Sequence, residues 1–130
     1  MKRYLLDTHV LIWVLREPKK LSTTARRILE NPASDLFVSS ITAWEINMKF
    51  RIGKMPEAMY LLPNFAENLE KLQAQSLTFT LEHALETSSI DLPHGDLFDR
   101  AIFAQAKVEN LILISADSAF EDVESVKVLW

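Results

Sequence analysis

The chain has no cysteine, which excludes disulfide cross-links, thiolate metal ligands and a thiol nucleophile together. Glycine is nearly absent too: Gly53 and Gly95 are the only two in 130 residues, so no glycine-rich phosphate loop can form. No apolar run approaches the roughly 20 residues of a membrane-spanning helix. Met1-Lys2-Arg3 is followed by too short an apolar stretch for a secretory leader before Asp7 and His9 interrupt it. These absences point to a cytoplasmic protein with no membrane segment. An excess of basic residues is also missing. The net charge is -4, opposite in sign to the usual nucleic-acid footprint. A nucleic-acid substrate then requires acidic residues gathered around a cation that reverses the local sign.

What remains is ordinary for a globular domain: 48% hydrophobic and 25% charged residues, expected to fold as one domain over 1–130. Tyr4-Leu5-Leu6 reads as a short buried strand ending at Asp7, and the apolar spacing of Val10, Leu11, Val14 and Leu15 then reads as a helix. Glu17-Pro18-Lys19-Lys20 is expected to be a loop. Ser22 or Thr23 is placed to cap a helix through Leu29 that stops before Pro32. Asp35–Ser39 is a second strand, leading into a helix with Trp44, Ile46, Met48 and Phe50 that stops at Gly53. Short helices are expected over Glu57–Leu62 and from Pro63 or Asn64 through Leu72, and a third strand over Ser76–Phe79. Thr80 is expected to cap a surface helix carrying His83, with Leu81, Ala84 and Leu85 facing inward, followed by a loop over Ile90–Gly95. A strong helix begins at Asp96, with Leu97, Phe98, Ala101, Ile102, Ala104 and Ala106 as its apolar surface. Leu111–Ser115 is the clearest buried strand; a turn over Ser118–Glu121 and a strand over Val126–Leu129 complete the chain. Strands alternating with helices imply an α/β fold, a parallel sheet covered on both faces.

Four acidic residues occupy matching places. Asp7 and Asp117 follow apolar strands, while Glu45 and Asp99 are expected in the first turns of helices, with Asp96 as a fifth candidate. Each also reads as a cap. Thr42-Ala43-Trp44-Glu45 has the form of a capping box, and Asp7, Asp96 and Asp117 suit N-cap positions. The strand ends of a parallel sheet share one edge, however, so Asp7, Asp117 and Glu45 are expected to converge there. Carboxylates so gathered repel one another unless protons or a cation neutralise them. Mg²⁺ or Mn²⁺ suits an all-oxygen donor set and can assist water attack on a phosphodiester. No Ser–His–Asp or Cys–His arrangement competes. Trp13 and Trp44 lie on apolar helix faces, where core or subunit contact outranks base stacking. Lys49, Arg51, Lys54 and Arg100 fall near the expected site edge, placed for RNA phosphates or as a solvated face.

Leu6-Asp7-Thr8-His9, Ser39-Ser40-Ile41-Thr42-Ala43-Trp44-Glu45-Ile46, Asp96-Leu97-Phe98-Asp99-Arg100 with Ala104-Gln105-Ala106, and Ser115-Ala116-Asp117 with Phe120 resemble, in order, the motifs of PIN-domain ribonucleases. Within that family they look like the VapC-type toxins. The chain departs at Leu97, where many such toxins carry proline, and in a less basic Leu92-Pro93-His94-Gly95 loop. The resemblance implies a three-layer fold with a five-stranded parallel sheet of order 3-2-1-4-5. It implies a Mg²⁺-dependent endoribonuclease whose catalytic and metal-holding residues are Asp7, Glu45, Asp99 and Asp117, with Asp96 beside them. Thr8, His9, Lys49 and Arg100 are the candidate substrate contacts. An RNA substrate, a cognate antitoxin and a homodimer also follow from the resemblance. Two rival enzyme and binding classes fit less well. A haloacid-dehalogenase-like phosphatase or phosphotransferase with Asp7 as nucleophile needs an aspartate where His9 stands, and a receiver-like module needs a phosphoacceptor where Ser39-Ser40 stands. A non-catalytic PIN-like RNA-binding module would have no need of the full acidic set.

Overall fold

The computed structural model describes residues 2–92, 96–120 and 123–130. The strands are β1 (Arg3–Leu6), β2 (Asp35–Ser39), β3 (Ala74–Leu77), β4 (Ile112–Ile114) and β5 (Val128–Leu129); the helices are α1 (Thr8–Arg16), α2 (Thr23–Glu30), α3 (Ser40–Arg51), α4 (Phe65–Lys71), α5 (Leu81–Glu86) and α6 (Leu97–Glu109). All strand pairs are parallel, in the order β3-β2-β1-β4-β5. The chain builds outward from β1 to β3, then returns to start β4 on the other side of β1. That reversal makes the carboxyl ends of β1 and β4 a switch point, where open α/β sheets leave a crevice.

Side-chain alternation along the strands fills two cores. Tyr4 and Leu6, Leu36 and Val38, and Ile114 join α1 and α2 on one face. Leu5 and Leu113 join α6 on the other, with Phe37 packed against them. Helix α6 is buried without interruption from Ala101 to Ala106, and Phe103 stacks on Phe120 at 5.5 Å. Small residues at 101, 104 and 106 let the sheet and its neighbours close on it.

Several elements differ from the sequence reading. The segment Pro56–Tyr60 is a 3₁₀ helix rather than the α-helix expected over Glu57–Leu62, and Leu62–Asn64 forms a second such turn around Pro63. Pro18–Lys20, expected as loop, is a 3₁₀ turn. Strand β3 lies two residues earlier than expected, ending at Leu77. The inward face assigned to Leu81, Ala84 and Leu85 is wrong: all three are exposed, and the buried residue of α5 is His83. Its Nδ1 accepts the Thr80 N–H and its Nε2 lies 2.8 Å from Glu109, so polar partners replace the expected apolar packing. Leu97 likewise points outward. The Pro93–Gly95 part of the expected connecting loop, and Glu121 of the expected turn, lie outside the described residues.

Gly53 ends α3 at φ 80°. Its N–H donates to Phe50 and the Lys54 N–H to Lys49, the paired bonds of a Schellman motif. A Cβ here would meet no atom within 4 Å, so only the backbone conformation opposes substitution. Gly53→Ala is expected to cost about 1 kcal/mol, lowering the thermal midpoint by roughly 4 °C, whereas Gly53→Asn costs less because asparagine tolerates this conformation. Equal melting of all three proteins would contradict that assignment.

Candidate active site

The crevice at the switch point is lined by acids at graded depth. Asp7 and Glu45 are buried, Asp96 and Asp99 are half-buried, and Asp117 is exposed. Register explains the first pairing. Leu6 pairs with Ile114, and the Asp7 N–H continues the ladder to the Ile114 carbonyl, so Asp7 and Ser115 leave the sheet side by side. The Ser115 hydroxyl donates to Asp7 Oδ2 at 2.9 Å, and the Thr8 N–H donates to Asp7 Oδ1 at 2.8 Å. Asp7 is thus both the N-cap of α1 and a wall of the crevice. Burial nevertheless pushes its carboxyl above the usual range, and its hydrogen bonds and His9 only partly offset that.

Glu45 is not in a capping box. Ser39 caps α3 through its hydroxyl, and the helix starts at Ser40, which puts Glu45 in the second turn rather than the first. One of its oxygens accepts from the Thr8 hydroxyl at 2.6 Å, and Thr8 also meets Thr42 at 3.1 Å. The other oxygen accepts from the Lys49 ammonium, one turn along the same helix. Burial alone would lower the Lys49 pKa, but Glu45, with Asp96 and Asp99, holds it above its ordinary value. Lys49 is therefore the cation set into the acidic cluster.

Asp96 does act as the N-cap of α6: its Oδ1 accepts the N–H groups of Phe98 and Asp99. The helix start aims Asp99 into the crevice. Its carboxyl is pushed up from 3.8 to about 7, first by burial and then by Asp96, Asp7, Glu45 and Asp117. All four of the other predicted acids thus act on Asp99. Asp117 caps the turn Ser118–Phe120 through the Ala119 N–H and borders the crevice from the β4 side.

The other predicted contacts divide. His9 is exposed on α1 and lines a hollow with Asp7 and Asp117. Thr8 is fully buried and serves Glu45, so it supports the site from behind rather than facing substrate. Arg100 points away: its guanidinium donates to the Thr87 carbonyl at 3.1 Å and to that of Ile90, tying down the segment before α6. Sequence reasoning overlooked Ser115 and Thr42 as supports. A serine two residues before an acid at a strand end was the available signal for the first.

For protein kept free of divalent ions, the Asp99 shift fixes a pH dependence. From about pH 4 to about 7 the folded state keeps a proton that the unfolded chain has already released, so this group's contribution to stability falls as pH rises and then levels off. Melting curves of wild type and Asp99→Asn in chelator should therefore diverge across that window, the variant gaining relative stability toward pH 7. A pH-independent difference between them would contradict it.

A family model described as PIN domain matches residues 4–126. Ribonuclease VapC22 of Mycobacterium tuberculosis is 28% identical over 120 residues, covering 90% of this chain and 88% of that protein. Among solved structures, the crystal structure of VapBC2 from Rickettsia felis bound to a DNA fragment from their promoter superposes with TM-score 0.70 at 14% identity, covering 98% of this chain and 97% of the matched one. DNA-bound VapBC from Salmonella typhimurium gives TM-score 0.67 at 17% identity, covering 99% and 98%. The family match spans β1 from Tyr4 through β4 and every acid of the crevice: the chain belongs to the PIN domain family.

Proposed function

We propose that the chain is a metal-dependent endoribonuclease and the toxin of a toxin–antitoxin pair. The observation that carries this reading is the gathering of Asp7, Glu45, Asp96 and Asp117 around Asp99, whose carboxyl is pushed up to about 7 by burial first and then by those four acids. A divalent cation relieves that repulsion, and oxygen-only donors suit Mg²⁺ or Mn²⁺. Among the described residues no three His, Cys, Asp or Glu side chains enclose a single point. Mg²⁺ keeps several waters and takes only one or two carboxylates directly, so it does not require such a cage. Asp7 and Asp99 would hold it, with Asp117 and Asp96 at the rim. When bound, such an ion supplies Lewis acidity at the phosphate and the attacking water.

The chain's own residues do the rest. Ser115 and the Thr8 N–H fix the Asp7 carboxylate. Glu45 holds Lys49 so that its ammonium faces the cluster, where it offsets acidic charge and meets a substrate phosphate. The buried Asp7, with both oxygens engaged, is suited to holding rather than to attacking phosphorus, which disfavours the phosphatase alternative. Similarity to the Mycobacterium tuberculosis ribonuclease supports ribonuclease activity, and the shared fold with a toxin–antitoxin complex from Klebsiella pneumoniae supports an antitoxin partner. Exposed Trp44, Met48, Leu81, Leu85 and Leu97 give apolar surface for the homodimer or the antitoxin to cover.

Purified protein is expected to cleave single-stranded RNA with Mg²⁺ or Mn²⁺ and to stop in chelator. Asp99→Asn should lose more than the ~10–100-fold typical of residues that merely support a ligand, with an unchanged fold by circular dichroism. Undiminished cleavage by that variant would sink the proposed site. Glu45→Gln keeps the Thr8 contact but loses the charge on Lys49, so its loss should fall within the ~10–100-fold supporting range.

A further inference from the structure

Two hollows open beside the acids and share Ala116 and Asp117. One, about 260 Å³, is also lined by Asp7, His9 and Trp13. The other, about 350 Å³, runs past Ser115 to Val126, Val128 and Trp130. Trp13 joins them: its ring centroid lies 5.9 Å from that of His9 and 5.6 Å from that of Trp130, each tilted. His9 is exposed, Trp13 is half-buried, and Trp130 keeps 36% of its surface open. The Lys20 ammonium stands 5.9 Å from the Trp13 centroid. The core contact expected for Trp13 is there, since it packs against the apolar cluster of α1 and β1; its remaining surface lines the rim of the crevice together with Asp7 and Asp117.

We propose that His9, Trp13 and Trp130 form a base-stacking subsite for a nucleotide next to the phosphate that meets Lys49 at the acidic crevice; the proposal rests on the ribonuclease reading. Charge argues for it. A chain of net charge -4 with an acidic crevice gains little long-range attraction for a polyanion. Affinity beyond the reacting phosphate then favours an interaction that does not depend on sign, and stacking of a base on exposed rings is one. Bases offer their faces only when unpaired, so the subsite selects single-stranded or looped RNA. It is tolerant of base identity, since every base has a π-face. The two hollows meet at Ala116 and Asp117, which places the rings directly beside the acids.

The test reads binding apart from cleavage. In a Trp44→Phe background Trp13 and Trp130 are the only tryptophans. Titration with a short oligoadenylate should quench their fluorescence, and an abasic sugar-phosphate chain of the same length should not. Trp13→Ala and Trp130→Ala in the otherwise native protein should each weaken oligoadenylate binding on the order of tenfold and raise KM with little change in kcat. The Phe variants should retain most of the affinity, which separates ring stacking from loss of folding. Equal quenching by the abasic chain, or Ala variants that bind as well as wild type, would overturn the subsite. If RNA is cleaved but neither tryptophan responds, the ribonuclease reading stands and the subsite falls. If the quench appears without cleavage, the subsite stands as an RNA-binding ledge and the nuclease reading falls.

Discussion

Repulsion among carboxylates at the carboxyl edge of the sheet is the constraint that the surrounding structure answers. Four acids act on Asp99, and each of those four is held by something specific: Asp7 by Ser115 and Thr8, Glu45 by Thr8 and Lys49, and Asp96 and Asp117 by the N–H groups of the turns they cap. Polar anchors of this kind keep like charges together in a partly dry crevice, where an unanchored side chain would rotate toward water. The capping readings and the site reading are therefore not rivals for Asp7, Asp96 and Asp117. A cap fixes the carboxylate where the cluster needs it.

Much of the architecture was legible because the signals were periodic or strongly apolar. Tyr4–Leu6, Leu111–Ser115 and the helix after Asp96 declared themselves through burial patterns that nothing local contradicted. The convergence of Asp7 and Asp117 followed from parallel topology on the condition that their strands are neighbours, which β1 and β4 are, and Glu45 followed from the helix that leaves the same edge. Asp99 did not: α6 leads into β4 rather than out of a strand, and only its packing against the sheet turns its first turn toward Asp7. Strand order itself came from family resemblance, since no local pattern distinguishes β1 from an edge strand.

The misreadings have physical causes as well. Glu45 followed Thr42 at capping-box spacing, but Ser39 captures the cap first and moves the helix start back three residues. In α5, Leu81, Ala84 and Leu85 have the spacing of a buried stripe, yet a buried hydrogen-bond system around His83 decides the facing. Apolar periodicity presumes that the core is apolar. Arg100 looked like a phosphate contact by position, but two carbonyls within reach claimed its guanidinium.

The chain of buried Ser39, Gln105 and His83, ending at half-buried Glu109, links the start of α3 to the middle of α6 and to α5. Ser39 uses one hydroxyl both to cap the helix that carries Glu45 and to donate to Gln105 on the helix that carries Asp99. The two helices are thereby keyed to a common datum well away from the solvent. A displacement of either would break a fully buried polar bond before it moved a carboxylate. The spacing between the two acid-bearing helices is thus gauged from inside the protein, and whatever binds at the mouth of the crevice meets a distance already set.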